Sequence, residues 1–199
     1  DRAGSAAQFN GSVSRSPPHH RSDKATLARG GLRDTLLQVQ VRRLAHTVDT
    51  NADEIKRATQ SLGFSPERFR RLPVEDAPRV YESALRHFVP QGQPRWWWEH
   101  FPTSTGVHFT DGDGWRYLTE LVPDADERVW FIAEDFVAPE YSVWEASVRD
   151  IQAVIAECYG FEFYVIQQQF RWLVCENHHD VVVAVGAEVE DRLREYDAA

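Results

Sequence analysis

The chain has only two cysteines, Cys158 and Cys175. Two such residues form neither a disulfide framework nor the C-x-x-C pairs of a zinc or redox motif. No stretch approaches the roughly 20 consecutive apolar residues that a membrane-spanning helix needs, and the N-terminus lacks the apolar run of a signal peptide. These absences predict a cytoplasmic protein whose two thiols are reduced and buried.

Positive charge is scarce in the second half of the chain. Residues 120–199 hold five basic and eighteen acidic residues, a net charge of −13, whereas residues 1–46 carry a net charge of +5. An acidic surface repels nucleic acid and attracts basic surfaces over about a Debye length. We therefore expect a basic protein partner, and neither nucleic acid nor a membrane.

Familiar catalytic motifs are also missing. The sequence contains no G-x-S-x-G elbow, no phosphate loop and no dinucleotide fingerprint. The DGDG run at residues 111–114 begins like a calcium loop but lacks that loop's later carboxylates, which favours a tight turn. The sequence thus predicts no cofactor, and it favours a binding protein over an enzyme.

Composition divides the chain into a tail and one domain. Residues 1–24 are polar and small and contain a Pro-Pro pair, which predicts a disordered tail or leader. Residues 25–199 are predicted to form a single α+β domain, with a helical part at 25–89 and a mainly sheet-forming part at 90–199.

Helical spacing marks the first part of that domain. A helix is predicted over residues 53–62 and closed by Gly63, the usual residue for a left-handed cap. Another is predicted from about Asp76 to Phe88, ended by Pro90. An earlier stripe has apolar residues on one helical face: Leu36, Leu37, Val41 and Leu44.

The second part has the pattern of strands. A helix over residues 148–158 is predicted to begin with Ser147 as its cap, and a terminal helix follows Gly186. Residues 90–126 are predicted to be irregular, apart from a short helix near 115–121. Short connections between the last three apolar runs favour an antiparallel meander. The strands are apolar on both faces, so each face must be covered, and the helical first part is the expected cover. The candidate strands are residues 128–133, 141–144, 161–167, 171–176 and 181–185.

One polar cluster lies between the last two candidate strands. Its residues are Glu176, His178, His179 and Asp180, with an asparagine among them. The simpler interpretation is a hairpin turn, since Asn and Asp are turn formers. The alternative is a metal or proton-transfer site of a metal-dependent hydrolase or nuclease, because imidazole and carboxylate are common metal ligands.

A second cluster is Arg95, Trp96, Trp97, Trp98 and Glu99. Three consecutive tryptophans cannot all be buried by one helix or strand face, so at least one is expected at a rim. The cluster either fills the seam between the helical part and the sheet or forms a hot spot for a partner.

Three segments carry a resemblance to known proteins: WLVCENHHD at 172–180, FIAED at 131–135 and ECYGFEFY at 157–164. Over about residues 95–190 the chain resembles an uncharacterised bacterial domain family with a W-x-x-C-E-N-H-H-D closing hairpin, a resemblance that implies no particular activity. In size, charge and architecture it is loosely similar to the small acidic immunity proteins that bacteria pair with toxins. That likeness implies a non-enzymatic module that presents an acidic face to a basic protein.

Overall fold

The structure, a computed structural model, describes residues 50–91, 94–136 and 141–197. The predicted tail at 1–24 and the predicted helix carrying Leu36, Leu37, Val41 and Leu44 lie outside these residues. The described part contains five α-helices and two 3-10 turns. The helices are α1 (Asn51–Ser61), α2 (Ala77–Phe88), α3 (Leu118–Leu121), α4 (Val148–Ile155) and α5 (Ala187–Asp197), and the 3-10 turns are Trp97–His100 and Gly114–Tyr117.

The strands of the described residues form one seven-stranded sheet in the order β1-β4-β3-β5-β6-β7-β2. Every neighbouring pair is antiparallel. This arrangement confirms the predicted α+β class with an antiparallel sheet. The strands are β1 (Arg70–Arg71), β2 (Thr105–His108), β3 (Arg128–Glu134), β4 (Tyr141–Ser147), β5 (Phe163–Gln167), β6 (Leu173–Glu176) and β7 (Val181–Val185).

The meander prediction holds for β5, β6 and β7, which follow one another directly in the sheet. The connection from β4 to β5, which contains the predicted internal helix, takes a longer path. The chain leaves β4 through α4 and returns on the far side of β3, so β5 pairs with β3. A tight hairpin places two successive strands side by side in the sheet. The connection from β4 to β5 contains a helix of two turns instead, so β5 is free to pair with a different strand.

Both edge strands come from segments that were not predicted to be strands. Residues 105–108, predicted to be irregular, form β2 on β7, and residues 70–71 of the helical part form β1 on β4. β1 has only two residues, both exposed, and β2 includes a glycine. Such short segments lack the alternation that marks a strand, so their pairing depends on the neighbouring strand.

The predicted helix boundaries rest on local caps. Thr50 and Asp53 form a reciprocal capping box at the start of α1, and Gly63 follows its end with a φ of 68°. The Ser147 side chain accepts a hydrogen bond from the Asp150 amide, which confirms it as the cap of α4. Each cap satisfies backbone groups that the first or last helical turn leaves free.

Helices cover both faces of the sheet. On one, the α4 face, α1, α3, α4 and α5 pack on a core that includes Phe131, Phe163 and Val174. On the other, the α2 face, α2 and Trp97 pack on Ile132 and Tyr164. Neighbouring residues on one strand point to opposite faces, so consecutive apolar residues pack into two separate cores. This explains why the strands are apolar on both faces.

Candidate functional site

A cavity of about 600 Å³ opens at one end of the sheet, where β3 and β6 end and β5 begins. Carboxylates and aromatic side chains line most of it. The carboxylates are Asp113, Glu134, Glu162, Glu176 and Asp180, and the aromatic residues are Trp96, Trp115, Phe136, Tyr159, Phe161 and Phe163.

The residues that line the cavity come from both faces at this end of the sheet. Phe163 and Glu176 are register partners and share the α4 face. Glu162 is the residue before Phe163, and Glu134 is two residues after Ile132, which packs on the α2 face. Because neighbouring residues along a strand point to opposite faces, both glutamates belong to the α2 face. We call the two parts the α4-side compartment (Trp115, Ile155, Phe161, Phe163 and Glu176) and the α2-side compartment (Arg95, Trp96, Glu134, Glu162 and His178).

In the α2-side compartment a buried carboxylate holds a histidine. The Glu162 side chain is only 2% exposed, and its Oε2 lies 3.1 Å from His178 Nδ1. Trp98 Nε1 donates to the same oxygen at 3.3 Å, and the Tyr164 hydroxyl donates to Oε1. The ring of Trp96 lies 5.5 Å from that of His178. These contacts fix the orientation of the imidazole, whose Nδ1 faces the carboxylate.

A second acid in this compartment is balanced by a cation. Arg95 Nε lies 3.7 Å from Glu134 Oε1, and the guanidinium lies 5.8 Å from the centre of the Trp96 ring. Burial and the nearby Glu162 raise the pKa of Glu134, whereas Arg95 and His178 lower it. The α2-side compartment therefore pairs two carboxylates with two basic side chains.

The α4-side compartment contains a carboxyl group without such a balance. Glu176 is 7% exposed, and its Oε2 has no hydrogen-bond partner among the described residues. Burial raises the pKa of Glu176 to about 7, although the backbone amides of Trp115 and Gly114 lower it. A carboxyl group buried among aromatic rings with one free oxygen is ready to accept a donor from a ligand.

The rim of the cavity carries large exposed apolar side chains. Phe136 is 82% exposed, Tyr159 is 85% exposed and Trp96 is 37% exposed. Exposed aromatic residues grouped around a concave site are typical of a binding surface.

The tryptophan cluster is divided between these roles. Trp97 is buried and packs on Tyr164 with ring centres 4.6 Å apart, so it fills the seam between the 3-10 turn and the sheet. Trp98 is half-buried behind His178, and Trp96 lies at the rim. Arg95 and Trp96 line the cavity, whereas the exposed Glu99 is not among its lining residues. The expectation that one of the three rings lies at a rim is confirmed.

The polar cluster between β6 and β7 forms the turn of a hairpin. Asp180 has a φ of 58°, and Asn177 Oδ1 accepts hydrogen bonds from the amides of His179 and Val181 at 2.9 and 3.2 Å. Such side-chain bonds are the means by which Asn stabilises turns. His178 faces the cavity, and His179 packs edge-on against Trp98.

No group of three or more His, Cys, Asp or Glu side chains within the described ranges is placed to hold a metal ion. Glu176, His178 and Asp180 all line the cavity, but they do not form such a group. The DGDG run is a tight turn as predicted, with Gly112 at a φ of 71° and the Asp113 amide donating to Asp111 Oδ1.

Sequence reasoning missed Glu134 and Glu162. Neither belongs to a motif, and acidic residues are common throughout residues 120–199. The only available signal was their position: Glu134 ends the apolar run of β3, and Glu162 lies just before the apolar residues of β5. Because β3 and β5 are antiparallel neighbours, those two positions meet at the same end of the sheet.

These features define an α+β domain with a two-compartment, acidic cavity at the end of an antiparallel sheet. The model of a family of unknown function (DUF6756) matches residues 50–197, and the chain belongs to that family. The predicted membership of an uncharacterised domain family is confirmed over a longer span than the residues that suggested it. No curated protein and no solved structure matches the chain. Among the described helices, none has the length and apolar character needed to cross a membrane.

Proposed function

We propose that this domain is a non-enzymatic protein-binding module that presents the cavity and its acidic surroundings to a basic protein. The observation that carries the proposal is the composition of the cavity wall. Among its described lining residues, five carboxylates stand against Arg95 and His178 as the basic groups, and exposed aromatic rings surround the opening.

Charge and aromatic rings supply different parts of binding. Acidic side chains speed the encounter with a basic partner, but in water their attraction is screened by salt. Affinity comes mainly from desolvated anchors, among which tryptophan and tyrosine are frequent. Trp96, Phe136 and Tyr159 supply exposed rings next to the carboxylates, so the rim offers both parts at one place.

The proposal includes a cytoplasmic location and no cofactor, nucleic acid or membrane partner. Both cysteines are free thiols, which suits a reducing compartment. A role like that of the small acidic immunity proteins also belongs to the proposal. Its support is the net charge of −13 over residues 120–199 together with the α+β fold.

The test begins with isolation of partners from the source organism on the immobilised full chain, followed by association rates at low and high ionic strength. We expect a basic partner whose association slows as salt rises. Trp96→Ala should weaken binding by about 2 kcal/mol or more, the scale of a hot spot. Val74→Ala is the matched control, because Val74 is also an exposed apolar residue but does not line the cavity.

A specific partner that is neutral or acidic would contradict the proposal. So would an association rate that is independent of salt, since steering by an acidic face must be screened.

The alternative, a metal-dependent hydrolase or nuclease using Glu176, His178, His179 and Asp180, has one observation in its favour. Glu162 orients His178 as carboxylates orient the histidines that bind metals or transfer protons. We expect less than about one equivalent of transition metal in the purified protein. Stoichiometric zinc that is lost in His178→Ala or His179→Ala would favour the enzyme instead.

A further inference from the structure

The α4-side compartment contains a buried carboxyl group with a free oxygen, surrounded by aromatic side chains. We propose that this compartment binds the guanidinium group of an arginine side chain that the basic partner inserts into the cavity. This inference rests on the proposed function and adds the chemical identity of the group that is recognised.

The two compartments differ in how their acidic side chains are balanced. Glu134 and Glu162, on the α2 side, already face Arg95 and His178. Among the described residues no basic side chain balances Glu176, and its Oε2 is unpartnered. Two neighbouring acids, Asp180 and Asp113, also line the cavity, and Asp113 is paired with Arg116 at 2.8 Å. A buried carboxylate whose charge no cation balances is costly, so a cation that donates to Oε2 gains an unusually favourable site.

The apolar lining of the compartment favours arginine over lysine. The other lining residues of this compartment are the aromatic Trp115, Phe161 and Phe163 and the aliphatic Ile155. A guanidinium is planar and more weakly hydrated than an ammonium group, and it stacks on aromatic rings while it donates to a carboxylate. An ammonium group would lose more hydration energy in the same apolar surroundings.

An arginine that contacts both an aromatic ring and a carboxylate already occurs elsewhere in the chain. Arg68 donates to both oxygens of Asp150, at 2.7 and 3.0 Å, and its guanidinium lies 4.0 Å from the centre of the Phe64 ring. There the arginine, the ring and the carboxylate all come from this protein. In the cavity Trp115 and Glu176 both line the wall, and Arg116, which lies 5.3 Å from the centre of the Trp115 ring, is paired with Asp113. The proposed arginine supplies the cation that Glu176 lacks. A volume of about 600 Å³ lies within the range of ligand pockets and admits an extended side chain.

The test uses small probes and the full chain. Nα-acetyl-arginine amide is titrated into the protein by calorimetry, and Nα-acetyl-citrulline amide serves as its neutral counterpart of nearly the same shape. Nα-acetyl-lysine amide has the same charge in a compact head group. We expect saturable binding of the arginine probe and at least ~10-fold weaker binding of the other two. No saturation, or equal binding of the citrulline probe, would overturn the inference.

Variants assign the binding to the compartment. Glu176→Gln should weaken binding of the arginine probe at least ~10-fold, whereas Glu188→Gln, which removes the same charge from an exposed position on α5, should leave it unchanged. Unaltered binding in Glu176→Gln would refute the assignment. A measurement on the unmodified protein gives an independent check: the arginine probe should shift the indole N–H signal of Trp115 and not that of Trp130, which does not line the cavity.

Failure of this inference can be told from failure of the proposed function. Suppose that a basic partner associates in a salt-dependent way and binds Glu176→Gln with the same affinity as the original chain. That result would support the proposed binding module and contradict the arginine site. Conversely, specific binding of the arginine probe without any basic partner would support the arginine site and contradict the proposed binding module.

Discussion

Glu176→Gln should change how the stability of the protein depends on pH. Burial raises the pKa of Glu176 from its usual 4.5 to about 7 in the folded protein. The folded state therefore binds a proton more tightly than the unfolded state, and the side chain lowers stability progressively as pH rises from about 4.5 to 7. One pKa unit corresponds to about 1.36 kcal/mol, so the full effect is about 3 kcal/mol.

The assay is urea unfolding of both proteins at pH 4.5 and pH 8. The free energy of unfolding of Glu176→Gln, relative to that of the original chain, should become more favourable by about 3 kcal/mol between the two pH values. Any constant cost of the buried amide cancels in this comparison. Glu188→Gln, at an exposed site, should show little change. The same difference at both pH values would show that burial does not raise this pKa, which would contradict a Glu176 carboxyl group that is buried and has one unpartnered oxygen.

Three further outcomes follow from the packing. Gly186→Ala should lower the free energy of unfolding in urea titrations by more than about 2 kcal/mol. The reason is that Gly186 has a φ of 108° and that an added Cβ would lie 2.6 Å from a backbone carbonyl oxygen. Gly160→Ala, with open space around the new methyl group, is the control. Phe131→Ala should cost about 3–5 kcal/mol in the same titrations, because Phe131 is fully buried, whereas a loss near that of the exposed Val74→Ala would contradict the described core. Cys158, whose pKa is raised by burial to about 12, should react with a thiol reagent at pH 8 at least ~100-fold more slowly than free cysteine; a rate near that of free cysteine would show that this thiol is not desolvated.

Local signals made much of the fold predictable. The helix that begins after Asp76, the cap at Ser147 and the left-handed Gly63 are each decided by residues within one or two turns of the chain. The apolar runs of β5, β6 and β7 are likewise separated by turn residues that permit only short connections. These features could be predicted because their causes are close in sequence.

The remaining features depend on contacts between distant segments. β2 is a strand because Val107 pairs with Val182 on β7, and nothing within residues 105–108 indicates this partner. In the same way, Glu134 and Glu162 become one site only because β5 returns beside β3. The hairpin turn was predicted from its residues, but the role of His178 in a cavity depends on the Glu162 carboxylate, which lies just before β5.

The two short edge strands have a consequence for any attempt to isolate the acidic half. β1 and β2 both precede residue 109, yet they close the two sides of a sheet whose other strands lie within residues 128–185. A fragment that began at residue 120 would keep the five central strands, but the outer edges of β4 and β7 would lose their pairing with β1 and β2. β7 reads VVVAV, a short segment rich in β-branched residues and without charge, and such an uncovered edge is a template for strand addition by further copies. β1 and β2 thus cover the edges at which further copies could add a strand. We expect the fragment that lacks them to form oligomers or fibrils more readily than the longer chain.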